Sequence, residues 1–274
     1  MANETFNSGV DHFGLQSGTS NALKVVSSSE NISKQSQSGP NNWDDPAVVD
    51  SWGETADPSS EYEVVSQLVH ALATPKITLG ALVSAANSGI EVNGAAAPLV
   101  VGRLSIRTQT GSAPRVIVTG KAVQTGATQL RAYIPPALTL LARHRAQDFM
   151  SLCTIKKGSG TLTVADGKLD YGMQSVNADF PITITLSQPK GVTMGYDLHG
   201  DMITVDFTMN WYATGKPTIV LVDSVTLRTS SASSANTSTV TPTMSTPKSA
   251  AHPEGGYTQY TWQVQIPFIG YEVS

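Results

Sequence analysis

Asp197, His199 and Asp201, in the stretch Tyr196-Asp-Leu-His-Gly-Asp201, are the residues of this chain best spaced to hold a metal or move a proton. Alternate side chains of a strand share a face. One strand running through all three would therefore gather two carboxylates and an imidazole, as a divalent ion requires. Gly200-Asp201 reads instead as a turn, and no second cluster of His, Asp or Glu backs the first. A solvated strand end accounts for the same residues. His144 and Asp148 stand one helical turn apart in Ala142-Arg-His-Arg-Ala-Gln-Asp148 and read as a charged, solvated helix face. Cys153 follows an apolar stripe and reads as a small buried residue; a nucleophile would need a histidine partner that spacing does not supply. The run Lys156-Lys-Gly-Ser-Gly-Thr161 lacks the Gly-Lys-Ser/Thr that cradles phosphate ahead of a helix. No Gly-x-Ser-x-Gly, His-Glu-x-x-His or dinucleotide fingerprint occurs. These residues point away from an enzyme, and to no metal and no cofactor.

Charge is the better lead. Residues 1–60 carry two lysines against eight acids, whereas residues 103–168 carry ten Lys or Arg against Asp148 and Asp166. Gathered on one side, Arg103, Arg107, Arg115, Lys121, Arg131, Arg143, Arg145, Lys156 and Lys157 would form a patch attractive to phosphates or to anionic lipid. Tyr133 and Phe149 are the only aromatic residues there. Any nucleic-acid contact is thus expected to follow the backbone rather than read bases. The acidic segment holds one island of its own, Asn42 to Glu54, where Trp43 and Trp52 sit among acids. Exposed tryptophan is an efficient anchor, so the island reads as a motif that docks on a partner.

These residues have to be positioned by strands. From Met202 to Trp211, Ile203, Val205, Phe207, Met209 and Trp211 alternate with Thr204, Asp206, Thr208 and Asn210, the period of a strand with one buried face. A second ribbon follows, with Ile219, Leu221, Val225 and Leu227, and is expected to pair with the first. At the C-terminus, Tyr260, Trp262, Val264, Ile266 and Phe268 alternate in a register that answers Met202–Trp211. So long a terminal strand must be paired, or it is a sticky edge. Further strands are expected over 99–107, 114–119, 129–134, 161–165, 168–174, 181–187 and 192–197, with a hairpin at Asp166-Gly167.

Helices are expected in three places. Ser60-Glu-Tyr-Glu63 looks like a capping box ahead of Val65, Leu68, Val69 and Leu72. A short one fits Leu79–Asn87, closed near Gly89, and a longer one follows Pro136, with Leu138, Leu141, Ala142, Phe149 and Leu152 as its stripe. Residues 1–59, rich in Ser, Asn, Gly and Asp, read as a disordered acidic arm. Residues 60–274 read as one antiparallel β-sandwich domain, with a low-complexity loop at 230–251.

With 274 residues the chain can bury a real core, and charged residues at only 14% favour sheet over helix. A single cysteine rules out an internal disulfide and fits a reducing compartment. No apolar run follows a basic start, and none reaches the roughly 20 residues of a membrane span. The expectation is a soluble protein inside the cell, neither secreted nor anchored.

The arm, the short helices, the alternating strands and the aromatic closing strand together resemble viral coat proteins of jelly-roll type. Met202–Trp211, Ile219–Leu227 and Tyr257–Phe268 resemble the last long strands of such a sandwich. The resemblance covers about residues 60–274 as architecture. It implies a jelly-roll-like sandwich, a homo-oligomeric shell around viral nucleic acid, and a place in the virion and the host cytoplasm. In many small RNA viruses the arm is rich in Arg and Lys, and here it is acidic. Genome contact would then fall to the body, or the shell would package without basic arms. A viral matrix or movement protein, or an RNA- or partner-binding β module using residues 103–168, fits the same pattern.

Overall fold

The computed structural model describes residues 10–15, 23–39, 48–64, 79–109, 111–113, 115–130, 132–134, 153–157, 160–162, 171–188, 195–212, 218–221, 225–228, 237–240, 243–244, 248–267 and 271–273. The protein is mainly β, and a curled sheet of 12 strands forms most of what is described. Its path runs Leu23–Gly39, Val48–Val64, Arg115–Ala122, Leu99–Gln109, Tyr171–Ser187, Met202–Trp211, Thr258–Pro267 and Thr243–Met244. Every pairing along that path is antiparallel. Gly195–Gly200 pairs with the second half of Tyr171–Ser187, and Thr128–Gln129 adds a parallel strand to it. No helix among the described residues is long and apolar enough to cross a membrane.

Alternation sets the faces of this sheet. Met202–Trp211 pairs with Thr258–Pro267 from Met202↔Pro267 to Trp211↔Thr258, which sets Met209 opposite Tyr260 and Phe207 opposite Trp262. Trp211 and Trp262 are 2% and 4% exposed, as their parity predicts. Leu104, Ile106, Val116, Val118 and Phe180 continue the buried face across the central strands. The expected strands at 168–174 and 181–187 are one, Tyr171–Ser187. Pro181 sits where that strand changes neighbours, between Asp179↔Thr204 and Ile182↔Gly200. A residue with no N–H is tolerated there because no partner on that side needs one.

The second ribbon departs from expectation. Thr218–Leu221 pairs with Cys153–Lys157, and Val225–Arg228 with Thr237–Val240, so neither joins Met202–Trp211. A period of two fixes which face a residue takes, not which strand lies beside it. The segment 230–251 also contains strands: Thr237–Val240, Thr243–Met244 and Ser249–Ala251, the last two against Thr258–Pro267. Thr side chains fit a pleated surface, so low complexity did not prevent pairing there.

Strands also occur before residue 60. Within the expected disordered arm, Leu23–Gly39 and Val48–Val64 form a long hairpin, and the supposed junction at residues 59 and 60 lies inside its inner strand. Ser60–Val64 is therefore strand rather than the first turn of a helix. Its alternation places Ala56, Ser60 and Tyr62 on the buried side, where they extend a core built mainly by other strands. Residues 10–15 cross that side as a strap, with Phe13 and Leu15 buried. Gly120 makes room for it, since a Cβ there would lie 3.1 Å from the Phe13 ring and 2.7 Å from the Val100 carbonyl oxygen.

Polar ties hold the strap. Tyr62 donates its hydroxyl to Asp11 Oδ1 at 2.6 Å, and the same oxygen accepts the Phe13 and Leu15 amides. Burial first, and the Asp11 carboxylate second, push the Tyr62 phenol well above its ordinary value. His12 is buried, with Nδ1 2.8 Å from the Ser88 carbonyl oxygen and Nε2 3.5 Å from Glu30 Oε1. The short helix is Ala85–Ser88, closed by Gly89 in the left-handed region at φ 63°. The remainder of the expected 61–72 helix, the helix after Pro136 and the Asp166-Gly167 hairpin lie outside the described residues.

Candidate binding face of the sheet

Opposite the core, the sheet turns a polar face outward. Arg103, Ser105 and Arg107 alternate with Leu104 and Ile106, and Arg115 and Thr119 alternate with Val116 and Val118. The parity that buries one set turns the other to the opposite face, where Ser105 is itself covered. Asn177, Asp179, Thr204 and Asp206 carry the same face across the next two strands. Two depressions open on it. One of about 620 Å³ includes Glu61, Glu63, Arg107, Arg115, Asn177 and Asp206 in its wall, and another of about 380 Å³ lies by Asp57, Arg103 and Lys121.

This face gathers four of the nine cations expected in a basic patch, and it brings acids with them. Arg103 grips Asp179 as a fork, Nε to Oδ1 at 2.7 Å and Nη2 to Oδ2 at 2.6 Å, and Ser105 Oγ donates to the same carboxylate at 2.6 Å. Such bidentate pairs fix geometry as well as charge. The Asp179 hydrogen bonds, with the fields of Asp179 and Asp201, hold Arg103 above its ordinary value against the opposing effect of burial. Arg115 donates from Nη1 to Glu61 Oε1 at 2.7 Å, which raises it likewise. Lys121 lies 3.7 Å from Asp57 Oδ1, a charge contact beyond hydrogen-bond length.

Arg107 differs from these. It stands directly across from Arg115, and no described acid pairs with it. Like charges facing each other on a sheet are unfavourable; Glu61 and Glu63, on the next strand, offset the repulsion at Arg115. Farther along, Asp206 Oδ1 takes Lys248 Nζ and Gln263 Nε2, both at 3.0 Å. The larger depression therefore offers hydrogen-bonding amides, hydroxyls and charges of both signs, with one guanidinium, Arg107, that no described acid pairs with directly.

The other expected residues fall elsewhere. Arg131, Arg143, Arg145 and Trp43 lie outside the described residues. Lys156 and Lys157 lie on Cys153–Lys157, opposite Thr161 and Gly160, and Trp52 lies on the hairpin opposite Gln35. Asp197 and His199 share a face of Gly195–Gly200, but Asp201 falls in the break before Met202, where its carboxylate accepts the Met202 amide at 2.7 Å. Among the described residues, no group of three His, Cys, Asp or Glu is placed to hold a metal ion. Sequence reasoning missed Glu61, Asp179 and Asp206 as partners. Each lies on the polar parity of its strand, a signal readable only once the pairing is known.

No protein-family model matches the chain, and no curated protein matches it in sequence.

Proposed function

We propose that this is a structural, self-assembling protein, a viral coat protein whose copies tile into a shell around a genome, on a jelly-roll-like sandwich. The observation that carries the proposal is the form of the main sheet. It is long and antiparallel along its path, and it ends in a strand, Leu23–Gly39, that is largely exposed between Ser27 and Lys34. Sheet edges of that length are surfaces for other strands. In this reading the polar face, with its charges already paired at Arg103 and Arg115, is a surface that copies can share without strong repulsion.

A second reading draws on Arg107. A β module for RNA, or for an anionic membrane, would use the one cation on this face that has no described acid partner. Such a module stays small and binds less tightly as salt rises. Electron microscopy of the purified full-length protein separates the two. Regular closed particles or ordered sheets are the expected result. A uniform field of single subunits, at low and at physiological salt and with nucleic acid added, would contradict the coat-protein reading.

A further inference from the structure

The outer strand of the hairpin, Leu23–Gly39, ends the main sheet, and no described strand pairs with its free side. Proteins usually guard such an edge with bulges, prolines or outward lysines. The guards here are weak. One register shift leaves Val26 as an extra residue near the start of this strand. The other lies between Ser33↔Thr55 and Gln35↔Trp52 and leaves the surplus residue on the inner strand, where Gly53 takes a φ of 67°. The outer strand therefore runs regularly from Ser27 to Gly39. It has no proline there, and only Glu30 and Lys34 are charged.

Three residues of this run define a self-complementary pattern. Glu30, Ile32 and Lys34 alternate, and so share a face. Glu30 and Ile32 lie opposite Pro58 and Ala56, and Lys34 Nζ reaches Glu54 Oε2 on that same side at 2.6 Å. Ile32 is 53% exposed, a large apolar side chain on an otherwise polar edge. An acid and a base stand two residues to either side of it.

We propose that two copies of this chain join by this edge, antiparallel, about a two-fold axis through Ile32. Antiparallel pairing sets directly opposed residues on one face. In this register Ile32 meets Ile32 of the second copy, and Asn31 meets Ser33. Glu30 meets Lys34, twice over, as two-fold symmetry requires. Each contact extends a run of alternating charge, from Glu30 across to Lys34 of the second copy and on to its Glu54. The join makes one continuous sheet of two subunits. It rests on the self-assembly reading and names the surface that reading needs.

Full-length protein carrying Cys153→Ser and Ile32→Cys tests the register, because Cys153 is the only native cysteine. Mild oxidation is expected to convert most of it to a covalent dimer on a non-reducing gel. Ser27→Cys in the same background should stay monomeric on that gel, since its two copies would lie roughly 34 Å apart in this register. A second arm uses charge. Glu30→Lys or Lys34→Glu alone should weaken dimerisation about tenfold, and an equimolar mixture should restore it, because the mixed pair faces unlike charges. Thermal melts check that both variants fold. Failure of Ile32→Cys to cross-link while the unmodified protein still sediments as an assembly would overturn this interface and leave self-assembly standing. Equal cross-linking from residues 27 and 32 would overturn the register. Unmodified protein that is monomeric throughout would overturn both.

Discussion

Two antiparallel pairs in one sheet are held in different ways. Met202–Trp211 with Thr258–Pro267 carries its own core, Met209 and Trp211 lying beside Tyr260 and Trp262. The hairpin of Leu23–Gly39 with Val48–Val64 does not. Among the side chains described, its buried hydrophobic residues are Leu23, Val25, Ala56 and Tyr62, and its outer strand is exposed from Asn31 to Lys34. What orders the hairpin is a set of specific ties: Tyr62 to Asp11, Lys34 to Glu54, Arg115 to Glu61, and Glu54 to the Asn93 amide. A strand pair can be fixed by a neighbour that supplies core and by polar groups that accept only one register.

The sharpest way to break the comparison is to remove area from one pair and polarity from the other. Trp211→Ala should cost about 3–5 kcal/mol in urea unfolding, the range for losing a large buried aromatic side chain. Tyr62→Phe keeps the ring and loses only the hydroxyl, and should cost about 1.5–3 kcal/mol, as for a hydrogen bond to a charged group. It should also change the pH profile. The folded phenol is held above its ordinary value, so its contribution is fully present below about pH 10 and is lost as pH rises beyond it. Alkaline melts of Tyr62→Phe should therefore fall less steeply than those of the unmodified protein.

Glu54 titrates in the opposite sense. Its hydrogen bond from Lys34, then that from the Asn93 amide, hold its carboxyl below the usual range. Stability from this group is present above the ordinary glutamate value and is lost as pH falls through the lowered one. Glu54→Gln should flatten the acid limb of the melting curve, read most directly by protease sensitivity of the hairpin. The smallest effect belongs to the polar face. Arg107→Gln should stabilise by about 0.2–1 kcal/mol, because Arg107 faces Arg115 across the ladder. Arg103→Gln should destabilise by a similar amount, since that guanidinium is half exposed.

Legibility in the sequence followed the same division. Ile203 to Trp211 and Tyr260 to Ile266 keep an unbroken period of two, so both the strands and their mutual register were readable. In the hairpin, extra residues reset the alternation once on each strand, at Val26 and at Gly53, and the buried positions include Ser60 and Pro58. Burial alternates from Glu54 to Glu63, but hydrophobic residues do not mark it. The partners of the basic segment were hidden for a related reason. Arg103 and Arg115 were visible, but the acids that neutralise them lie 76 and 54 residues away in the chain. Charge counted along a sequence is not charge summed over a surface. Asp201 was legible as a turn residue beside Gly200, and it does sit in the break between two strands.

The central claim is that the exposed edge exists to be paired by other copies of the chain. Sedimentation velocity of the full-length protein, across a hundredfold range of concentration and at two salt concentrations, tests it most directly. The account predicts that the single-subunit boundary gives way to a dimer and then to faster, discrete species as concentration rises, and that Ile32→Lys suppresses the dimer while its melting temperature stays close to that of the unmodified protein. A single boundary at the mass of one chain, 28.8 kDa, at every concentration and with nucleic acid present, would contradict it.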